Sequence, residues 1–167
     1  MLLFSTANKK HALKFIKLSD CMQHLTTAAT WAENEWGYIR NKGVAFREDV
    51  FRNLSDNIYI ATFCDKPVGM FALINKRTSR LLLTDIHKAP HILELMYVYV
   101  DKDYRGLGFA NQLIKMAKML AHASGANLIM LDTLKPNLNS FYQKHGAEVL
   151  CEGELFSHGT DVLSIKL

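Results

Sequence analysis

The chain has 167 residues, 49% of them apolar and 22% charged, with a formal net charge of +4 at pH 7. That length fits one domain over residues 1–167 with a single packed core, and the balance excludes a disordered chain. The basic residues are scattered, which suits an anionic ligand and not a nucleic acid, and no apolar run nears the roughly 18 residues that span a bilayer.

In chain order, Leu13–Asp20 alternates apolar and polar residues and predicts a first strand. Ser19 or Asp20 is placed to cap a helix over residues 21–40, and Gly43 separates it from a second helix over 44–54. The period then shortens to two. Residues 57–65 and 66–76 read as a hairpin joined through Asp65-Lys66-Pro67, followed by an irregular connection with a short strand expected at Leu81–Leu83. "ILELMYVYV" is an apolar strand, and the helix after it carries Phe109, Leu113, Met116, Ala117, Leu120 and Ala123 on one face. Gly125 ends that helix, "NLIMLDT" is a buried strand, and "NLNSFYQKHGA" is a short helix stopped by Gly146. A last hairpin turns around Ser157-His158-Gly159. The order β-α-α-β-β-β-α-β-α-β-β contains one strand–helix–strand unit, residues 92–133, whose strands should be parallel and right-handed in their connection.

Cys21, Cys64 and Cys151 lie far apart, without CxxC spacing. An odd, dispersed set points to a reducing, cytoplasmic compartment, and the four-residue apolar start is too short for a secretion signal. Cys151 is expected to be a small buried apolar residue. His87 and His91 flank Pro90 near Asp85, but with no fourth ligand and a broken helical spacing they predict no metal site.

The sequence concentrates its chemistry in "RGLGFA", Arg105 to Ala110, between a strand and a long helix. Glycines there leave backbone N–H groups free at a helix N-terminus, where they and the helix dipole attract an anion such as a pyrophosphate. A P-loop is excluded because no Gly-Lys-Ser/Thr follows, and the dinucleotide fingerprint lacks its third glycine, Asn111 standing there.

The stretch "ELMYVYVDKDYRGLGFANQLI", with Arg105, Gly108 and Ala110 in the defining places, resembles the strand, turn and helix of the GNAT superfamily of N-acetyltransferases. "NSFYQKHGAEV" resembles the family's later helix, and the element order is similar to its topology over essentially the whole chain. The resemblance implies an α/β, GNAT-like fold: a mixed, mostly antiparallel sheet of about seven strands with a splayed parallel pair, flanked by about four helices. It implies an acetyl-CoA-dependent N-acetyltransferase that moves the acetyl group directly to an amine. The amine is expected on a small molecule more than on a peptide, with no nucleic acid, membrane or metal; a homodimer is compatible. A non-catalytic acyl-CoA-binding sensor or interaction module is the alternative.

Carried over to this sequence, the resemblance assigns the pyrophosphate to Arg105, Gly106, Leu107, Gly108, Phe109 and Ala110. It assigns the pantetheine arm to the backbone of Val98, Tyr99 and Val100. Tyr142 would protonate the departing thiolate; the bland alternative is a core aromatic beside Phe141. An amine must be neutral to attack, so a base is expected. Glu94, a carboxylate in an apolar strand, is the candidate, with Asp132 as the alternative. Lys135 stands where the family has Asn and Leu138 where it has Ala, and Pro136 implies a differently shaped helix start. "TWAENEWGY" falls where the family's first helices wall the acceptor pocket, so Trp31, Trp36, Tyr38, Glu33 and Glu35 could cage a cationic amine; the alternative puts Trp in the core and Glu in water.

Overall fold

The computed structural model describes residues 11–75 and 90–167. The strand expected at Leu81–Leu83 lies outside them, as do Asp85 and His87. The described strands form a sheet of seven in the order β1-β2-β3-β4-β5-β7-β6. They are β1 (Lys14–Lys17), β2 (Ile58–Phe63), β3 (Lys66–Asn75), β4 (Ile92–Val100), β5 (Leu128–Thr133), β6 (Ala147–Leu155) and β7 (His158–Lys166). Every neighbouring pair is antiparallel except β4 and β5, which are parallel. Helices α1 (Leu25–Arg40), α2 (Val44–Asn53), α3 (Phe109–Ala123) and α4 (Asn139–Gln143) complete the α/β, GNAT-like architecture.

Strand alternation sorts the core into two clusters, one on each face. Ile58, Ile60, Met70 and Ala72 meet Ala28, Ala29 and Ala32 of α1 and Phe51 of α2. Ala61, Phe71, Leu73, Leu93 and Leu95 meet Leu113, Ile114, Ala117 and Ala121 of α3, with Tyr142 of α4. The buried stripe of α3 is therefore turned from the expected one: Ile114 and Ala121 are in, and Ala123 is exposed.

Several local details differ from the sequence reading. Neither Ser19 nor Asp20 caps α1. Leu18–Asp20 and Met22–His24 instead form two short 3-10 turns that bury Leu18 and Cys21, and α1 starts after His24 without a side-chain cap. Both hairpins turn one residue or more ahead of the expected glycine or proline. Cys64–Asp65 (φ 49° and 61°) join β2 to β3, and Phe156–Ser157 (φ 47° and 68°) join β6 to β7. Two left-handed residues give the turn whose twist matches the strands. Pro67 lies within β3, opposite Thr62 at a β-bulge, a place where a missing N–H is tolerated. Cys151 is exposed, not buried, because β6 is an edge strand with most side chains in water.

The feature that shapes the molecule is in β4. Its register with β3 shifts between Met70 and Ala72, and Tyr97 has φ 54°. An inserted residue breaks the two-residue period. Leu93 and Leu95 face α3, but past the bulge Val98 and Val100 do, while Met96, Tyr97 and Tyr99 all face α1 and α2. Gly69 makes room for this: a Cβ there would fall 2.6 Å from the Tyr99 carbonyl oxygen.

Candidate active site

Strands β4 and β5 pair only through Ile92, Leu93 and Glu94. Beyond Glu94, β4 stays with β3 as far as Val100 and β5 stays with β7 as far as Thr133, so the two diverge. The wedge between them opens a cleft of about 1000 Å³. Backbone groups of β4 on the β5 side have no strand partner there, which leaves them for something extended to pair with.

At one end stands the glycine turn. Gly106 (φ 81°) and Gly108 (φ 79°) both take left-handed backbone, and nothing lies within 4 Å of where a Cβ would stand on either. Gly108 is the N-cap of α3 and has no side chain to answer the first N–H groups of the helix, so these point outward as anion donors. The residues present thus fit a pyrophosphate. Gly106, Gly108, Phe109 and Ala110 line the cleft; Leu107 does not and is exposed. Arg105 lines it too, with its Nε donating to the Val100 carbonyl at 3.0 Å and its guanidinium 5.6 Å from the Tyr99 ring centre. It therefore clamps the strand end to the turn as well as charging it. Asp101 braces the same turn, accepting from Asp103 N at 3.0 Å and from Trp31 Nε1 at 3.1 Å.

Val98, Tyr99, Val100, Glu94, Asp132 and Tyr142 line the same cleft. Of these, Tyr142 is 8% exposed. Burial alone pushes its pKa up to about 12, so the phenol stays protonated. Its short helix is fastened by Asn139, which accepts from Thr133 Oγ1 at 2.7 Å and donates to Asp161 Oδ2 at 2.7 Å. Pro136 opens a 3-10 turn just ahead of it, the altered helix start that the sequence implied. Glu94 is half-buried and Asp132 exposed.

The far end is walled by α1, α2 and the β6–β7 tip. Trp36 meets Tyr97 edge-on at 5.8 Å, and Phe51 meets Tyr97 at 4.9 Å. Trp31 does not cage anything: it is buried against Tyr99 at 5.4 Å. Glu33 is committed to Arg47 at 3.3 Å and Glu35 to Lys135 at 2.9 Å. Tyr38 is exposed and packs on His158 at 5.4 Å, while the Arg40 guanidinium stands 4.6 Å over Phe156.

Sequence reasoning missed Arg47 and Tyr97. Arg47 could have been found: Val44, Arg47, Phe51 and Leu54 follow helical spacing, so a charge interrupts an apolar stripe. Tyr97 carried no such signal, because the bulge that turns it is not encoded by glycine or proline. Among the described residues no three His, Cys, Asp or Glu side chains converge as a metal site, and no helix is long and apolar enough to cross a membrane.

A splayed parallel pair with a glycine turn at its mouth defines a GNAT-like acyltransferase scaffold. The sequence model of the Acetyltransferase (GNAT) family matches residues 18–147, and the chain belongs to that family. No curated protein matches it. Its fold is similar to that of a chain of the NatC complex bound to Gag peptide and CoA (14% identity, TM-score 0.70), covering 93% of this chain and 98% of that one. It is similar to Rv2747 from Mycobacterium tuberculosis in complex with CoA and NLQ (14% identity, TM-score 0.66, 93% and 99% covered). N-acetylglutamate synthase from Neisseria gonorrhoeae, complexed with coenzyme A and N-acetyl-glutamate, matches at 14% identity and TM-score 0.68. There 95% of this chain aligns with 36% of the synthase.

Proposed function

We propose that this protein is an acetyl-CoA-dependent N-acetyltransferase, a single-domain enzyme acting on the amine of a small molecule. The observation that carries the reading is one continuous cleft, from open glycines at the α3 N-terminus to Tyr142 and Glu94. Acetyl-CoA supplies an activated thioester, and family members with CoA bound share this fold. In this reading the amides of 105–110 hold the pyrophosphate and the β4 backbone at Val98–Val100 aligns the pantetheine arm. Tyr142 donates a hydrogen bond to sulfur as the C–S bond breaks. Its high pKa is matched to that role, since burial also raises the proton affinity of a thiolate beside it. Glu94 takes the proton from the amine, directly or through water.

A small acceptor is favoured because the far end is roofed. Arg40 on Phe156 and Tyr38 on His158 tie the end of α1 to the β6–β7 tip, which leaves less room there for a long acceptor than for a small one. A cytoplasmic home suits two exposed free thiols, Cys64 and Cys151. The test is CoA binding by calorimetry together with CoA release from acetyl-CoA over a panel of amines. CoA binding with no turnover on any amine would favour the non-catalytic sensor; neither binding nor turnover would end the proposal.

A further inference from the structure

The acceptor end of the cleft contains a cation buried out of proportion to its pairing. Arg47, in the first turn of α2, is 4% exposed and lines the cleft. A guanidinium offers five N–H donors in a planar fork and keeps its charge at any working pH. Here the pairing is thin. Nη2 reaches Glu33 Oε2 at 3.3 Å and Nη1 the Tyr97 hydroxyl at 3.4 Å, both long beside the roughly 2.7–2.9 Å of a charge-assisted bond. Glu33 does not chelate the fork: only Oε2 faces it, and the other oxygen accepts the Gly43 amide at 3.1 Å. Nε is buried and has no partner among the described residues. Packing alone gives no reason for the charge: Arg47 sits in the stripe of Val44 and Phe51, where an apolar side chain would serve.

We infer that Arg47 receives a carboxylate of the acceptor, so that the substrate class is a carboxylate-bearing amine such as an amino acid. The inference rests on the acetyltransferase reading and narrows it. A planar anion answers a planar fork with two parallel hydrogen bonds. The Tyr97 ring lies 5.8 Å from the guanidinium, Trp36 packs on that ring, and Arg47 is only 4% exposed, so an ion pair formed there is screened little by water. The rest of the cleft complements an amine. Of its three carboxylates, Glu35 is held by Lys135, which leaves Glu94 on β4 and Asp132 on β5 for the nitrogen. A cation on α2 and carboxylates on the sheet match an acceptor that carries both charges.

The test uses matched acceptors: L-amino acids, their α-carboxamides, and the same amines without the carboxyl group, each assayed by CoA release. The wild-type protein is expected to favour carboxylates by about 10–100-fold in kcat/KM, chiefly through KM, the range for hydrogen bonds to a charged group. Arg47→Gln should collapse that ratio by slowing the carboxylates alone. Because Arg47→Gln strands Glu33, the double variant Arg47→Gln/Glu33→Gln should show the same collapse with wild-type CoA affinity. A reading independent of turnover and of variant folding is the Arg47 side-chain 15N–1H resonance in the wild-type protein. It should move on titration with amino acids and not with carboxamides. Equal kcat/KM for carboxylates and carboxamides, or a resonance indifferent to both, overturns the inference while acetyl transfer stands. A carboxylate-sensitive resonance with no transfer to any amine would keep the anion site and overturn the activity.

Discussion

The two ends of the cleft are made of different material. The glycine-turn end is backbone: amides freed by Gly106 and Gly108, contiguous in sequence and open to solvent. The far end is side chain: Trp36, Arg47, Tyr97 and Phe156 come from four separate elements and meet only in the fold. A backbone site binds whatever presents phosphates and tolerates change in its flanking side chains. A side-chain site is specified atom by atom and can vary without disturbing the first. In the function proposed above, one end fixes the class of chemistry, and the other selects who takes part.

The sharpest way to break this division is Gly108→Asp. It places an anion among the freed amides and a Cβ on left-handed backbone, so CoA affinity should fall by roughly 100-fold or more in calorimetry, with the fold retained. Unchanged affinity would mean that the turn is not the phosphate site. Next comes Tyr142→Phe, which removes one hydroxyl. We expect kcat to drop roughly 10–1,000-fold with CoA affinity unaltered. Because burial raises the phenol to about 12, the wild-type rate should show no alkaline loss from Tyr142 below about pH 11. Turnover untouched by the substitution returns Tyr142 to the core.

Glu94→Gln should have a smaller and conditional effect. The rate should fall about 10–100-fold near neutral pH, where the amine arrives protonated, and recover partly as pH rises. Asp132→Asn is the comparison; if it alone flattens the profile, the base is Asp132. The mildest change is Trp31→Phe. Losing the 3.1 Å bond to Asp101 should cost roughly 1–3 kcal/mol of stability and weaken CoA binding only a few-fold. A loss as large as that of Gly108→Asp would show that α1, and not the turn by itself, builds the phosphate site.

The same division explains what could be read from the sequence. "RGLGFA" announces itself because a left-handed backbone selects glycine and the residues are adjacent. Seven strands, four helices and the parallel pair follow from periodicity and from resemblance to a known family. The bulge at Tyr97 was not legible, since a tyrosine at positive φ leaves no local mark. Nor was the fate of Glu33 and Trp31: the sequence left both between an amine cage and a core Trp with a wet Glu, yet Glu33 salt-bridges Arg47 and the buried Trp31 hydrogen-bonds Asp101, through contacts far apart in the chain. Lys135, read as a departure from pattern, turns out to span the cleft to Glu35.

The two hairpin turns also differ in what they forgo. Each places consecutive non-glycine residues on left-handed backbone, a choice worth about 1–2 kcal/mol per residue against the chain. At Cys64–Asp65 the contact made by the turn is an exposed ion pair from Asp65 to Lys14 at 3.7 Å, worth little, so drift toward Asn-Gly would toughen the protein. At Phe156–Ser157 the same drift would delete the ring that stands under Arg40 and over the acceptor end. Selection for robustness and selection for a substrate therefore pull apart at one turn and not at the other. Among relatives, the β2–β3 tip should wander freely, while the β6–β7 tip should change in step with what the enzyme accepts.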